Sequence, residues 1–322
     1  MLNVKFGVVG IGHIGKQHCE IIHNIEGAEL WGVCDTESID LDTLKSWNLD
    51  AQHTDIESFV SGAFDVLVVS TPNHLHKYMT ILGVEHGKVI ICEKPLTLTK
   101  QDAHTIDEVI KALDGKVYMD YPMRYLPSVK KVNELLKSGS LGKIHSITMN
   151  LLWNRNRDYY DASPWRGTFE QEGGPLFNEF IHFIDLIMHW NGGELWPLSM
   201  IMKNAEHEYN QVEDIGLIQF GGLGGLMGQI HYTTAAHGKT FDNTITILAE
   251  NATVRISGLN LNVVEVDEES YTYEYNRENF IEVFEDILKD MKGEDNEVVL
   301  HSVGMDAVAF ICDAYAMVDR FY

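Results

Sequence analysis

Positive charge is scarce in this sequence: 322 residues carry 24 Lys and Arg against 48 Asp and Glu, a formal net charge of −24. Nucleic acids and anionic membrane surfaces bind through clustered cations that displace counterions, so neither is expected as a partner, and the excess charge serves solubility. Long apolar runs are missing too, and none of the length needed to cross a bilayer occurs. The N-terminal stretch Met1-Leu2-Asn3-Val4-Lys5 leads straight into a short apolar strand that stops at glycine, so no signal peptide is expected. Cysteine is limited to Cys19, Cys34, Cys92 and Cys312, none in a C-x-x-C spacing. They read as small buried apolar residues of a reducing, cytoplasmic compartment. Metal-ligand spacing is equally thin: His74-Leu75-His76 is the one H-x-H, and His182 with Asp185 is a weak pair, so no metal is expected.

A chain of this length with 45% hydrophobic residues can bury a sizeable core and favours two domains. From residue 4 a strand, a glycine turn, a helix and a second strand follow one another, and the alternation continues with strands at 65–70, 88–92 and 116–120 and helices at 74–86 and 99–113, the last opened by a Thr99 cap. This pattern predicts an α/β fold, a doubly wound parallel sheet over residues 1–120. From residue 121 the texture changes. A helix over 128–137 is followed by strand-like segments near 143–153, 198–207, 212–222, 226–235, 242–249, 252–257 and 261–266, with a hairpin turn at 220–225. That is an α+β domain with a mostly antiparallel sheet over 121–300. Helical patterns over 278–291 and 301–320 finish the chain, and the segment 301–322 is expected to pack back on the first domain.

Gly10-Ile11-Gly12-His13-Ile14-Gly15 fits G-x-G-x-x-G directly after a strand and at the start of a helix. In that context the glycines permit a tight turn, close approach of a pyrophosphate and close helix–strand packing, with the phosphates at the helix N-terminus. Asp35 ends the second strand twenty residues beyond Gly15, where a carboxylate can bind the adenosine ribose hydroxyls. Thr36 and Glu37 follow it rather than Arg or Lys, which favours NAD over NADP. Ser70-Thr71-Pro72-Asn73-His74 and Cys92-Glu93-Lys94-Pro95-Leu96 follow the third and fourth strands, at the carboxyl ends where such sheets bind ligands. Lys94 can there stabilise a developing alkoxide; the alternative is a solvated surface charge. In Glu172-Gly173-Gly174-Pro175, Pro175 starts a helix whose apolar positions include Phe177, Ile181, Ile184 and Met188. Asn178 and His182 share one face of it. His182 suits proton transfer near working pH, with a hydrogen-bonded core histidine as the alternative.

Of seven arginines, Arg124, Arg155, Arg157 and Arg166 lie between residues 124 and 166, interleaved with Trp153, Tyr159, Tyr160 and Trp165. Guanidinium groups pair carboxylates or phosphates bidentately and aromatic rings stack on sugars or bases, which together suggest an anionic carbohydrate substrate. Salt bridges to the many carboxylates are the alternative.

Taken in order, the glycine fingerprint, Thr71-Pro72-Asn73, Glu93-Lys94-Pro95 and the Gly173-Gly174 to His182 helix resemble the Gfo/Idh/MocA oxidoreductase family, named for glucose-fructose oxidoreductase and inositol dehydrogenase. The resemblance spans nearly the whole chain. It implies a Rossmann domain followed by an open-faced, mostly antiparallel sheet domain, assembled as a homodimer or homotetramer through the sheets. It implies an NAD-dependent enzyme that transfers a hydride to or from a secondary alcohol carbon of a sugar, cyclitol or nucleotide sugar. Lys94 is then the catalytic lysine and His182 the acid/base. The cofactor set becomes Gly10, Gly12, His13, Ile14, Gly15, Asp35, Thr71, Pro72, Asn73, His76, Glu93 and Lys94, with Thr71, Pro72 and Glu93 on the nicotinamide side. The substrate set becomes Arg124, Trp153, Arg155, Arg157, Tyr160, Trp165 and Arg166. The family commonly carries aspartate where this chain has Asn178. An amide accepts no proton, so Asn178 is assigned to positioning a hydroxyl. Asparagine there resembles the branch that oxidises the 3-hydroxyl of nucleotide-linked N-acetylglucosaminuronic acid for surface polysaccharides. Two rivals belong to other classes: a dinucleotide-binding sensor or scaffold without turnover, and a reductase of a non-sugar substrate such as a dihydrodiol.

Overall fold

The continuous apolar runs of the first 120 residues form one parallel sheet in the computed structural model, which describes residues 3–318. Its strands are β1 (Val4–Val9), β2 (Ala28–Cys34), β3 (Val66–Val69), β4 (Val89–Glu93) and β5 (Val117–Asp120), in the order β2-β1-β3-β4-β5 with every pair parallel. All four residues of β3 are fully buried, as an inner strand of a parallel sheet requires. Helices α1 (His13–Asn24), α2 (Leu41–Ser46), α3 (Ile56–Val60), α4 (His76–Glu85) and α5 (Lys100–Leu113) form the connections. The Thr99 hydroxyl accepts from Asp102 N at 3.1 Å and caps α5, as expected from the sequence. The strand order reverses between β1 and β3, and a sheet of this kind opens its ligand crevice there, at the carboxyl ends.

The chain divides into two compact units, and the division does not follow chain order. Phe280–Val308 belongs to the same unit as the residues up to Tyr121, while Pro122–Asn279 forms the second unit with the described residues from Ala309 on. The first unit therefore takes in most of α9 (Glu278–Met291) and the first half of α10 (His301–Ala316). Phe284 packs on the Phe6 and His18 rings, and Asp290 pairs with Lys116 and Tyr118.

The second unit holds an eight-stranded sheet of β6 (Ile144–Leu152), β7 (Leu195–Lys203), β8 (Ile215–Gly222), β9 (Met227–Thr233), β10 (Asp242–Ala249), β11 (Thr253–Ser257), β12 (Val263–Val266) and β13 (Glu269–Thr272). The order is β13-β12-β11-β10-β6-β9-β8-β7, and among the described residues only β6 and β9 pair in parallel. One face is core: Ile147, Met149, Ile218, Ile230, Tyr232, Ile245 and Ile247 are buried. Against it α8 (Ile181–Asn191) and the turn before it set Phe180 on Tyr232 and Phe183 on Trp153. Two other helices, α6 (Pro127–Lys137) and the short α7 (Arg157–Asp161), complete the unit.

The expected parallel and antiparallel sheets are both present, and the Gly-rich 220–225 stretch is the β8–β9 turn. Details differ: the short helices α2, α3 and α7 are not among the expected elements, and β7 lies at Leu195–Lys203 rather than 198–207. Strand β13 is not among the expected strands, because its polar sequence lacks the strand alternation. The helix expected from Pro175 is instead a π-helical turn over Leu176–Phe180 that narrows into α8. The last helix ends at Ala316, with Met317 and Val318 in a turn after it; residues 319 and 320 of the expected 301–320 span, and Met1 and Leu2 at the other end, lie outside the described residues.

Candidate active site

The first unit builds a dinucleotide cradle from the G-x-G-x-x-G turn. Gly10 has φ +85°, and a Cβ on it would stand 2.6 Å from Thr71 N, so only glycine fits. A Cβ at Gly15 would lie 2.0 Å from the Gly10 carbonyl oxygen; this is the close helix–strand contact that the motif exists to allow. At Gly12, in contrast, the space where a Cβ would sit has no atom within 4 Å. Gly12 precedes α1 with no side-chain cap and no acidic residue in the first turn, which leaves the helix N-terminus open to an anion. These features fit a pyrophosphate. His13 beside it is exposed and Ile14 half-buried. Asp35 follows β2 and is anchored next to the turn: its carboxylate accepts from Ile11 N at 2.5 Å and from Glu37 N at 2.9 Å. With Thr36 and Glu37 exposed beside it, the local charge suits ribose hydroxyls and opposes a 2′-phosphate.

The loops after β3 and β4 are tied to this turn. The Ser70 hydroxyl donates to Gly10 O at 2.8 Å. Thr71 and Pro72 are half-buried and Asn73 is buried at the start of a short turn into α4. His76, expected in the cofactor set, is 1% exposed, with Nδ1 2.6 Å from Pro95 O and Nε2 2.8 Å from Thr71 O. Its ring thus spans the two loops instead of facing a ligand, and burial pushes its pKa down. Lys94 stands between Glu93 and Pro95, half-buried, with a cis peptide to Pro95. Beside it three ionisable side chains meet: His18 Nε2 is 2.9 Å from Glu93 Oε1 and 3.5 Å from Asp120 Oδ2. Burial works to raise the Glu93 carboxyl, but the His18 hydrogen bond and the Lys94 charge hold it down at about 2. Burial and then the Glu93 charge drive Asp120 well above the carboxylate range. Neither His18 nor Asp120 stands out in the sequence. The available signal is a histidine on the buried stripe of α1, among Gly15, Cys19 and Ile22.

In the second unit Asn178 lies in the π-turn and His182 in the first turn of α8, half-buried. The Asn178 amide nitrogen donates to Glu172 Oε1 and to the Tyr159 hydroxyl, each at 3.0 Å. Tyr159 in turn donates to Glu179 Oε1 at 2.8 Å, and Gly167 N donates to Glu172 Oε2 at 2.8 Å. Burial, with the charges of Glu179 and Glu213, raises Glu172 to about 8 against the Gly167 hydrogen bond and Arg166. Gly173 and Gly174 make the turn into this segment, Gly174 at φ +100°. Glu172, Glu179 and Tyr159 thus form a polar web around Asn178 that spacing alone does not single out.

The arginines separate into two kinds. Arg124 forks onto Asp185 at 2.6 and 2.8 Å, and Arg155 onto Glu179 at 2.9 and 3.0 Å. Both guanidinium groups expected for substrate are therefore matched by protein carboxylates. Arg157 is exposed and meets Asp161. Arg166 stacks 4.2 Å above the Tyr159 ring, donates through Nη1 to Tyr159 O, keeps Nε buried without a hydrogen-bond acceptor, and forms no ion pair among the described residues. Trp165 flanks it, with the guanidinium 5.6 Å from its ring. Trp153 donates to Asn243 and carries the Arg155 guanidinium at 4.9 Å, whereas Tyr160 is buried against His207 and Thr234. A cavity of about 430 Å³ in this unit is lined by Asn204, Gln211, Glu213 and Tyr315, not by His182 or Asn178.

Residues 4–121 match the model of an oxidoreductase family described as an NAD-binding Rossmann fold, and residues 129–255 match the GFO/IDH/MocA C-terminal domain. The chain is 28% identical to a 2,7-anhydro-N-acetylneuraminate hydratase of Mediterraneibacter gnavus, over 65% of this chain and 54% of that protein. It is also 28% identical to an inositol 2-dehydrogenase of Rubrobacter xylanophilus, over 80% and 72%. Among solved structures, the WlbA dehydrogenase of Bordetella pertussis in complex with NADH and UDP-GlcNAcA superposes with a TM-score of 0.87 at 25% identity, covering 98% of this chain and 96% of that one. The chain spans about half the length of the first curated relatives it matches.

Proposed function

This chain belongs to the Gfo/Idh/MocA oxidoreductase family, and from that premise we propose that it is an NAD-dependent dehydrogenase acting on a secondary alcohol carbon of a sugar, cyclitol or nucleotide sugar. The carrying observation is the open cradle at Gly12 beside the anchored carboxylate of Asp35. Bound NAD supplies a hydride acceptor at its nicotinamide, or a donor in the reverse direction. Lys94 donates a hydrogen bond to the substrate oxygen and stabilises the negative charge that grows there as the hydroxyl proton leaves, a charge that collapses into the carbonyl as hydride departs from carbon. His182 takes the hydroxyl proton and returns it in the reverse direction. Asn178, with its amide hydrogens committed to Glu172 and Tyr159, fixes the wall of polar groups around the substrate.

The finer assignment is an anionic nucleotide sugar oxidised at its 3-hydroxyl. It is supported by Asn178, by Arg166 with its stacked guanidinium and unpaired Nε, and by the ligand of the WlbA structure. The test is turnover, followed by reduced-nicotinamide absorbance and by product analysis, with free sugars, inositols and nucleotide-linked uronic acids. Product analysis is needed because one relative is named a hydratase, and an internal redox cycle leaves no net NADH. Lys94→Ala and His182→Ala should each lower kcat by about 10²–10⁴-fold with NADH binding retained, while Gly12→Val abolishes binding. No turnover in any substrate class, with both substitutions silent in cells and Gly12→Val not, would instead establish a dinucleotide-binding sensor.

A further inference from the structure

Glu93 and Asp120 are register partners on adjacent parallel strands, so a half-buried and a fully buried carboxyl group face one another at the strand ends. Two ionised carboxylates so placed repel strongly, and such pairs keep one proton. The hydrogen bonding says which carboxyl holds it. Glu93 accepts from His18 Nε2 at 2.9 Å. Asp120, 1% exposed, has both oxygens buried without a donor, and unsatisfied buried acceptors of that kind are costly. A proton on Asp120 removes the conflict, because the carboxyl then donates to Glu93. Around the cluster, α9 contributes the apolar Phe284 ring over His18 at 5.3 Å. On β4 the Cys92 thiol, pushed up to about 12 by burial, is neutral. The charge that remains on Glu93 is then matched by its chain neighbour Lys94, and no metal is needed to balance the site, although its donor atoms lie within 4.8 Å of one another.

We propose that His18, Glu93 and Asp120 share a single buried carboxyl proton, resident on Asp120, and that the cluster positions Lys94 by holding Glu93 as a fixed anion at the root of its loop. The effect on catalysis rests on the dehydrogenase reading of Lys94; the proton itself does not. The first measurement is infrared spectroscopy on the dinucleotide-free protein: wild type minus Asp120→Asn should show loss of a protonated carboxyl band. Loss of an ionised carboxylate band instead overturns the proposal, as does one equivalent of divalent metal in purified protein that His18→Ala removes. Positioning is read separately, by amine-reactive labelling of Lys94 counted by mass spectrometry. Asp120→Asn keeps a donor toward Glu93 and should label at the wild-type rate, whereas Asp120→Leu should change it severalfold. With a substrate in hand, Asp120→Leu should lower kcat about tenfold with KM little changed, and Asp120→Asn should restore most of it. Equal labelling and equal kcat in the two variants would refute positioning. If no alcohol is oxidised, the infrared and labelling results still decide the proposal, and the dehydrogenase reading alone fails.

Discussion

At the scale of single residues, what stays hidden in the sequence is who neutralises whom. Clustered arginines in an acidic chain suggest anion capture, but Asp185 lies 61 residues from Arg124 and Glu179 lies 24 from Arg155, distances at which only the fold makes partners. Glu172 shows the same limit. It reads as a turn residue before two glycines, yet it is 3% exposed and its pKa is raised to about 8, by burial above all. In the unfolded chain it ionises near 4.5, so between about pH 4.5 and 8 the folded state keeps a proton that the unfolded state has released, and stability falls as pH rises through that window. The shift amounts to a few kcal/mol at about 1.4 kcal/mol per unit. Glu172→Gln removes this ionisation and should flatten the dependence, even though its amide nitrogen cannot accept the hydrogen bond that the carboxylate oxygen it replaces accepts from Gly167 or Asn178. Urea denaturation at several pH values measures it; parallel curves for wild type and variant would show that Glu172 stays ionised in the fold.

At the scale of elements, the strand–glycine–helix unit is legible because each of its requirements is local: an apolar strand, φ > 0 at Gly10, and no side chain at Gly15. These two kinds of glycine make different predictions. Gly15→Ala drives a methyl against the Gly10 carbonyl, 2.0 Å away and part of the backbone, and should cost about 2–4 kcal/mol. Gly12 has φ −72° and open space around it, so Gly12→Ala should change stability by less than about 0.5 kcal/mol while weakening NADH binding. Thermal denaturation and a dinucleotide titration on the two variants separate fold from function; a large melting shift in Gly12→Ala would mean that the cradle is packed, not open. The π-turn before α8 is not legible, because five residues with one extra per turn carry the same apolar pattern as an α-helix. The carboxyl cluster is not legible either: His18, Glu93 and Asp120 meet only through the β4–β5 register and the packing of α1.

At the scale of the molecule, one face of the second unit's sheet exposes large apolar side chains among the described residues. The face of the eight-stranded sheet opposite its core carries cross-strand rows that can be read from the registers: Trp196, Gly221, Met227, Ser146 and Leu248 in one, Ile201, Leu217, His231, Asn150 and Thr244 in another. Trp196, Met227 and Leu248 of the first row and Ile201 of the second are exposed, Ile201 by 69% and Met227 by 63%, and apolar side chains gathered in this way on a sheet face mark an association site. A second copy related by a two-fold axis would set each row against its own counterpart. Sedimentation should therefore report a dimer or tetramer, and the double variant Ile201→Glu with Met227→Glu should shift it toward monomer with the fold intact. Each protomer carries −24, so copies repel at long range and meet through uncharged surface. Raising salt shortens the screening length from about 30 Å at 0.01 M to about 8 Å at 0.15 M and should strengthen association. Weakening with salt would mean that ion pairs, and some other face, hold the assembly together.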